Sequence, residues 1–96
     1  MSVEVNCTEV RLTAAGAADR AKGLVGFVTL TLNDLLILDG IGLRHSTRGE
    51  LVLMFPERMD RHGRKHALVR PIDDAARRVI TLAVLAALGL QGQGAP

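Results

Sequence analysis

From Leu24 to Leu32 the chain reads LVGFVTLTL, with Val28, Leu30 and Leu32 at one parity and Phe27, Thr29 and Thr31 at the other. A period of two over this length predicts a half-buried strand. Val3 to Leu12 predicts another, with Val5, Cys7 and Glu9 on one face and Val10 and Leu12 on the other. Between them TAAGAADRAKG, Thr13 to Gly23, carries two glycines, little bulk and no fixed period. It predicts a flexible hairpin connection, with a helical turn built on its alanines as the alternative. Asn33 and Asp34 signal a turn. The run LLILDGIGL that follows is apolar almost throughout, which predicts burial on both faces. HSTRG, from His45 to Gly49, interrupts it before ELVLMF, Glu50 to Phe55, and two apolar runs around a short Gly-containing turn make a hairpin. A long loop is expected next, with HALV as a short strand.

The period changes after Pro71. Asp73 and Asp74 can cap a helix, Ala75 to Leu88 is rich in helix formers, and Gly89 stops it. Ala76, Val79, Ile80, Ala83, Val84 and Ala87 line one face, while Leu82, Leu85 and Ala86 cover much of the rest. A helix apolar nearly all round is buried nearly all round, and one small sheet covers a single side, so a second subunit is expected on the other, with a second layer of the same chain as the alternative. The expected fold class is α+β: a mostly antiparallel sheet of about four to five strands with one C-terminal helix. Residues 1–90 form a single domain, and QGQGAP, residues 91–96, a disordered tail.

Composition narrows the function. A chain of 96 residues is one domain with little core to spare, and its apolar content is aliphatic, with two Phe and no Trp or Tyr. Net charge is only +2, but nine of the twelve Lys and Arg and five of the ten acids lie between Arg44 and Arg78, so the second half is the basic one. A single cysteine, Cys7, allows no internal disulfide and suits a reducing compartment. No basic segment followed by an apolar run opens the chain, and Val79 to Leu90 is too short for the ~20 residues that span a bilayer. The expectation is a cytoplasmic protein without a membrane segment.

The densest charge is in PERMDRHGRKHALVRP, Pro56 to Pro71, which holds Arg58, Arg61, Arg64, Lys65 and Arg70 with His62 and His66. Arginine's planar fork suits phosphate, and Gly63 allows close backbone approach to a ligand. The competing explanation is a charged loop that is simply solvated, some of its arginines pairing locally with Glu57 and Asp60 for well under ~1 kcal/mol each. Arg44 and Arg48 join such a site only if their turn lies beside the loop. Arg77 and Arg78 sit in the first turns of the helix, where the dipole disfavours cations, which hints at another purpose. His62 and His66 have the H-x3-H spacing of a metal pair, but a flexible loop without a rigid further ligand makes phosphate-contacting surface histidines the reading, with no metal or cofactor. Asp39, His45, Ser46 and Thr47 supply catalytic residue types without a motif, so neither an enzyme nor a small-molecule substrate is expected.

TEVRL, LTLNDLLILDGIGL, ELVLMFP, the basic turn with Gly63, and RPIDDAARRVITLAVLAAL follow in an order and spacing that resemble the stage V sporulation protein G (SpoVG) family of bacteria, across roughly residues 3 to 88. The resemblance implies a small cytoplasmic dimer with an antiparallel sheet and a C-terminal helix. It also implies a DNA-binding regulator, with RNA binding also reported, tied by name to septation and sporulation. Contacts to nucleic acid would then fall on Arg58, Arg61, Arg64 and Lys65 and on Arg77 and Arg78. The chain departs from the family pattern in RPI for HPI, in ERMDRHG for SxRTxDG, and in a longer HSTRG turn. These changes add charge, so they bear on sequence preference more than on binding, and a sporulation role does not transfer. The expected function is nucleic-acid-binding regulation by a homodimer through Arg58, Arg61, Arg64, Lys65 and Arg70, with Arg77, Arg78 and Arg48 as accessory contacts. The alternative is a dimeric protein–protein interaction module that binds no nucleic acid.

Overall fold

The computed structural model describes residues 5–90. β1 (Cys7–Ala14), β2 (Leu24–Leu32), β3 (Leu36–His45) and β4 (Leu51–Met54) pair antiparallel in that order to form one sheet. The expected flexible connection holds a short helix, α1 (Ala17–Ala21), between β1 and β2, so the alternative of a helical turn holds there. β5 (Glu57–Met59) and β6 (Lys65–Ala67) make a separate two-stranded ribbon, and α2 (Asp74–Leu88) ends the order. The class is α+β, as the periodicities predict. The basic stretch is a hairpin rather than a long loop, which adds one strand, β5, that the sequence pattern does not suggest. The expected 91–96 tail lies outside the described residues.

Alternation in β2 follows the pattern: Val28 and Leu30 are fully buried, while Phe27 on the other face is 47% exposed. They join Ile41 and Leu43 of β3, Leu53 of β4, and Val84 and Leu85 of α2 in one core. Each such side chain contributes about 1.5–3 kcal/mol by leaving water. Gly26 is required where β1 crosses β2, since a Cβ there would come within 2.2 Å of the Thr13 carbonyl oxygen.

Two expectations are corrected. Cys7 and Val10 both pack against the core although strict alternation puts them on opposite faces. The pairing of β1 with β2 shifts between Thr8 and Arg11, and Glu9 has φ 53°, so a bulge resets the parity. The run after Asn33–Asp34 is not buried on both faces: Leu35, Leu36 and Ile37 are 82%, 59% and 71% exposed. Among the described residues no second layer covers the open side of the sheet there, and on the helix side a groove of about 560 Å³ separates Leu32 and Asn33 from α2. Within the single chain, α2 turns Thr81, Val84 and Leu85 inward with Ile80 and Leu88, leaving Val79 and Leu82 45% and 49% exposed and Ala87 exposed. A helix apolar on most of its circumference does not specify its own buried face, so the docking decides it.

The ends of α2 follow local chemistry. The Asp73 carboxylate accepts from the Ala76 N–H at 2.8 Å, and Gly89, with φ 71°, donates to the Ala86 carbonyl while Leu90 donates to that of Leu85. Inside the buried face the Thr81 hydroxyl donates to the Arg77 carbonyl at 2.7 Å, which satisfies the one polar group there.

Candidate nucleic-acid interface

The ribbon pairs Glu57 with Ala67, Arg58 with His66 and Met59 with Lys65, and the Leu68 N–H closes its base on the Pro56 carbonyl at 3.0 Å. Every residue from Glu57 to Arg70 except Asp60 is exposed, so apolar burial does not hold it together. Asp60 does. Its Oδ1 accepts the N–H groups of His62 at 2.8 Å and Arg64 at 2.9 Å, and its Oδ2 lies 2.8 Å from His66 Nε2. The backbone closes the same turn, Asp60 N–H donating to Arg64 and Gly63 N–H to Asp60. Gly63 takes φ 80°, a left-handed conformation that costs glycine little. The His66 contact and then the backbone amides, that of Arg64 ahead of that of His62, hold the Asp60 carboxyl below its usual 3.8.

Ser46 builds the other reverse turn on the same plan. Its Oγ accepts from the N–H of Arg48 and of Glu50, both at 3.2 Å, and Gly49 takes φ 81°.

Strand alternation distributes the basic side chains. Arg58, Arg64 and His66 share the ribbon face that carries Asp60, Lys65 shares the other with Glu57 and Met59, and Arg61 and His62 occupy the turn. Arg58, Arg61, Arg64, Lys65 and Arg70 make no ion pair among the described residues, where the pairs are Arg11–Glu9 and His66–Asp60. Asp60 does not serve these five as a counter-charge, because it is spent on the turn and on His66.

Arg70 and Arg77 meet in a groove of about 310 Å³ between the ribbon base and the body, lined also by Phe55, Glu57, Ala67 and Val69. Arg77 is partly committed to packing. Its Nη1 donates to the Leu53 carbonyl at 3.0 Å, closing part of the free edge of β4, and its guanidinium lies 5.5 Å from the centre of the Phe55 ring. That contact is the purpose at which its dipole-opposed position hints. Arg78 flanks the same edge with Asp74, Leu51 and Val52. Arg48 is not gathered in. Its turn lies at the start of β4 and the ribbon follows the end, about 10 Å of strand away. Arg44 points elsewhere, with Nη2 donating to the Lys22 carbonyl at 3.1 Å. His45 stays at the Ser46 turn, its Nδ1 3.3 Å from the Gly49 carbonyl, and so remains apart from His62 and His66.

The sequence pattern misses two residues. Asp60 reads as a counter-charge, although its position three residues before a glycine marks a turn acceptor. Phe55 reads only as the end of an apolar run, and nothing local announces that an arginine lies over it.

No protein-family model matches the chain. The chain is similar to the "Putative septation protein SpoVG" of Borrelia hermsii (strain HS1 / DAH), with 28% identity over 80 residues, 83% of this chain and 82% of that protein. This likeness over most of both chains supports the resemblance to the SpoVG family. Among the described residues no helix is long and apolar enough to cross a membrane.

Proposed function

We propose that this SpoVG-type chain is a cytoplasmic regulatory protein, not an enzyme, that binds nucleic acid as a homodimer, with the β5–β6 ribbon gripping phosphates. The observation that carries the reading is a hairpin preorganised by Asp60 that presents four cations, with Arg70 just beyond its base, none of them ion-paired among the described residues. Arg58, Arg61, Arg64 and Lys65 set the register on the backbone, and Arg70 extends the contact toward α2. A two-stranded ribbon also has the width to enter a major groove, which favours duplex DNA. Arg77 and Arg78 sit behind it, and Arg48, at the other end of β4, is an accessory contact apart from the ribbon. A link to septation rests on the relative's name alone.

The dimer reading is supported by the apolar side chains that one chain leaves in water. Ile72, just before α2, and Val79 and Leu82 along it are 88%, 45% and 49% exposed, and the hairpin tip at Leu35 to Ile37 adds to them. Sedimentation should give a dimer that Val79→Asp converts to monomer.

Fluorescence anisotropy with a random duplex at several salt concentrations tests the site. Each phosphate neutralised adds about −0.9 to the slope of log K against log salt. Arg61→Ala, Arg64→Ala and Lys65→Ala combined should flatten the slope by about 0.9 for each phosphate no longer gripped, and leave the fold intact. Unchanged affinity in the triple variant would refute the ribbon assignment, and no duplex binding at low salt would leave the protein–protein interaction module.

A further inference from the structure

The face of the sheet turned away from α2 carries an aromatic side chain. Phe27 lies there, 47% exposed, between Thr13 of β1 and Gly42 of β3, so neither neighbouring strand raises a bulky side chain beside the ring. Gly42 forms a floor there: a Cβ on it would come into ordinary contact with the Met54 Cβ at 3.4 Å, whereas one on Gly40 would meet nothing within 4 Å. Together they leave an open hollow of about 360 Å³ against Phe27, walled by Leu24 and Met54. Two cations, Lys22 and Arg44, border it against one acid, Asp19. Arg44 is held in place by the Lys22 carbonyl and the Met54 sulfur, at 3.1 and 3.9 Å.

We infer that this hollow is a stacking site for one base of a single-stranded nucleic acid, with Phe27 as the platform and Arg44 and Lys22 receiving the adjoining phosphate. An exposed aromatic on an open sheet face, flanked by small residues and bordered by cations, is the arrangement by which single strands are bound without sequence preference. Charge favours this occupant over an apolar partner: the lining holds two cations against one acid, and the nearby Asp39 carboxylate is occupied by the Thr29 hydroxyl and the Gly40 N–H. The hollow also continues toward the ribbon. Met54 and Phe55 line both it and the groove that holds Arg70 and Arg77. A strand leaving the ribbon base can therefore follow cations around the β4 edge to Phe27. The inference extends the nucleic-acid reading of the ribbon but does not require that the ribbon bind duplex.

Anisotropy with labelled oligo-dT of about twelve nucleotides, within the range one such binding surface covers, and with a duplex of the same length separates the two sites. Phe27→Leu keeps the apolar bulk and removes the ring, and Phe27→Tyr keeps the ring. Without its one stacked base, Phe27→Leu should bind oligo-dT about 5- to 150-fold more weakly. Phe27→Tyr should stay within about twofold, and duplex binding should be unchanged in both. The ribbon triple variant should instead lose the duplex. Oligo-dT binding that is sensitive to Phe27→Leu in a protein that ignores duplex would uphold the stacking site and sink the ribbon assignment alone. No oligo-dT binding by the wild type, equal weakening on both ligands, or a Phe27→Leu variant that changes sedimentation but not oligo-dT affinity would overturn the stacking site.

Discussion

Ser46 and Asp60 occupy the same position in two turns of the same shape, each accepting two backbone N–H groups on one side-chain oxygen, with a left-handed glycine three residues on. They differ in what stands behind them. The Ser46 turn joins β3 to β4, whose Ile41, Leu43 and Leu53 are buried at 2% exposure or less. The Asp60 turn joins two three-residue strands whose residues are all exposed. The bonds follow suit: 3.2 Å to the neutral hydroxyl against 2.8 and 2.9 Å to the carboxylate, which also holds His66. Where burial supplies the stability a weak acceptor is enough, and where it does not a charge-assisted one takes over. A hairpin held by local electrostatics can stay fully solvated, as a phosphate-contacting surface must before it meets its ligand.

Leu53→Ala removes a core side chain next to the Ser46 hairpin and should cost about 2–5 kcal/mol in urea unfolding, the largest effect expected here. The matching truncation in the ribbon, Met59→Ala, should leave the midpoint unmoved; a comparable destabilisation would mean that the ribbon is packed on something. Next comes the joint between the regions. Arg77→Ala gives up the bond to the Leu53 carbonyl and the Phe55 contact for about 1–2 kcal/mol, whereas Arg78→Ala should stay within about 0.5 kcal/mol. Equal effects would deny the clamp at the β4 edge.

Exchanging the acceptors sharpens the contrast further. Asp60→Ser should raise hydrogen exchange at the His62 and Arg64 amides without shifting the urea midpoint, and exchange unchanged from wild type would show that the backbone alone holds the turn. The subtlest effect is in pH. Because the folded Asp60 carboxyl lies below its ordinary 3.8, its contribution to the ribbon is fully present above that value. It is lost as pH falls through the lowered one. Amide chemical shifts of His62 and Arg64 should therefore titrate together, below the ordinary aspartate range, while that of Arg48, bound to the non-titrating Ser46 hydroxyl, does not follow them.

Much of the candidate site is legible in the sequence because it is made of charge density, which needs no fold to be seen. The run from Arg58 to Arg70 stands out in any reading, and Asp73 and Gly89 mark the ends of α2 through bonds that span only a few residues. Relations across the fold are not legible there. Period two cannot report the Glu9 bulge that brings Cys7 and Val10 to one face. The apolar letters of Leu35 to Ile37 do not say that no layer arrives to cover them.

By itself, then, the sequence determined the class of the fold, the alternation of β2, the caps of α2 and the basic character of the ribbon, since each rests on interactions between residues a few positions apart. Tertiary structure alone decided which side of α2 is buried, that Arg77 lies over Phe55 while Arg48 is left at the far end of β4, and that Phe27 stands on an open sheet face. Those outcomes depend on which surfaces meet when the helix docks on the sheet, and burial is won by the packing of the whole rather than by any local pattern.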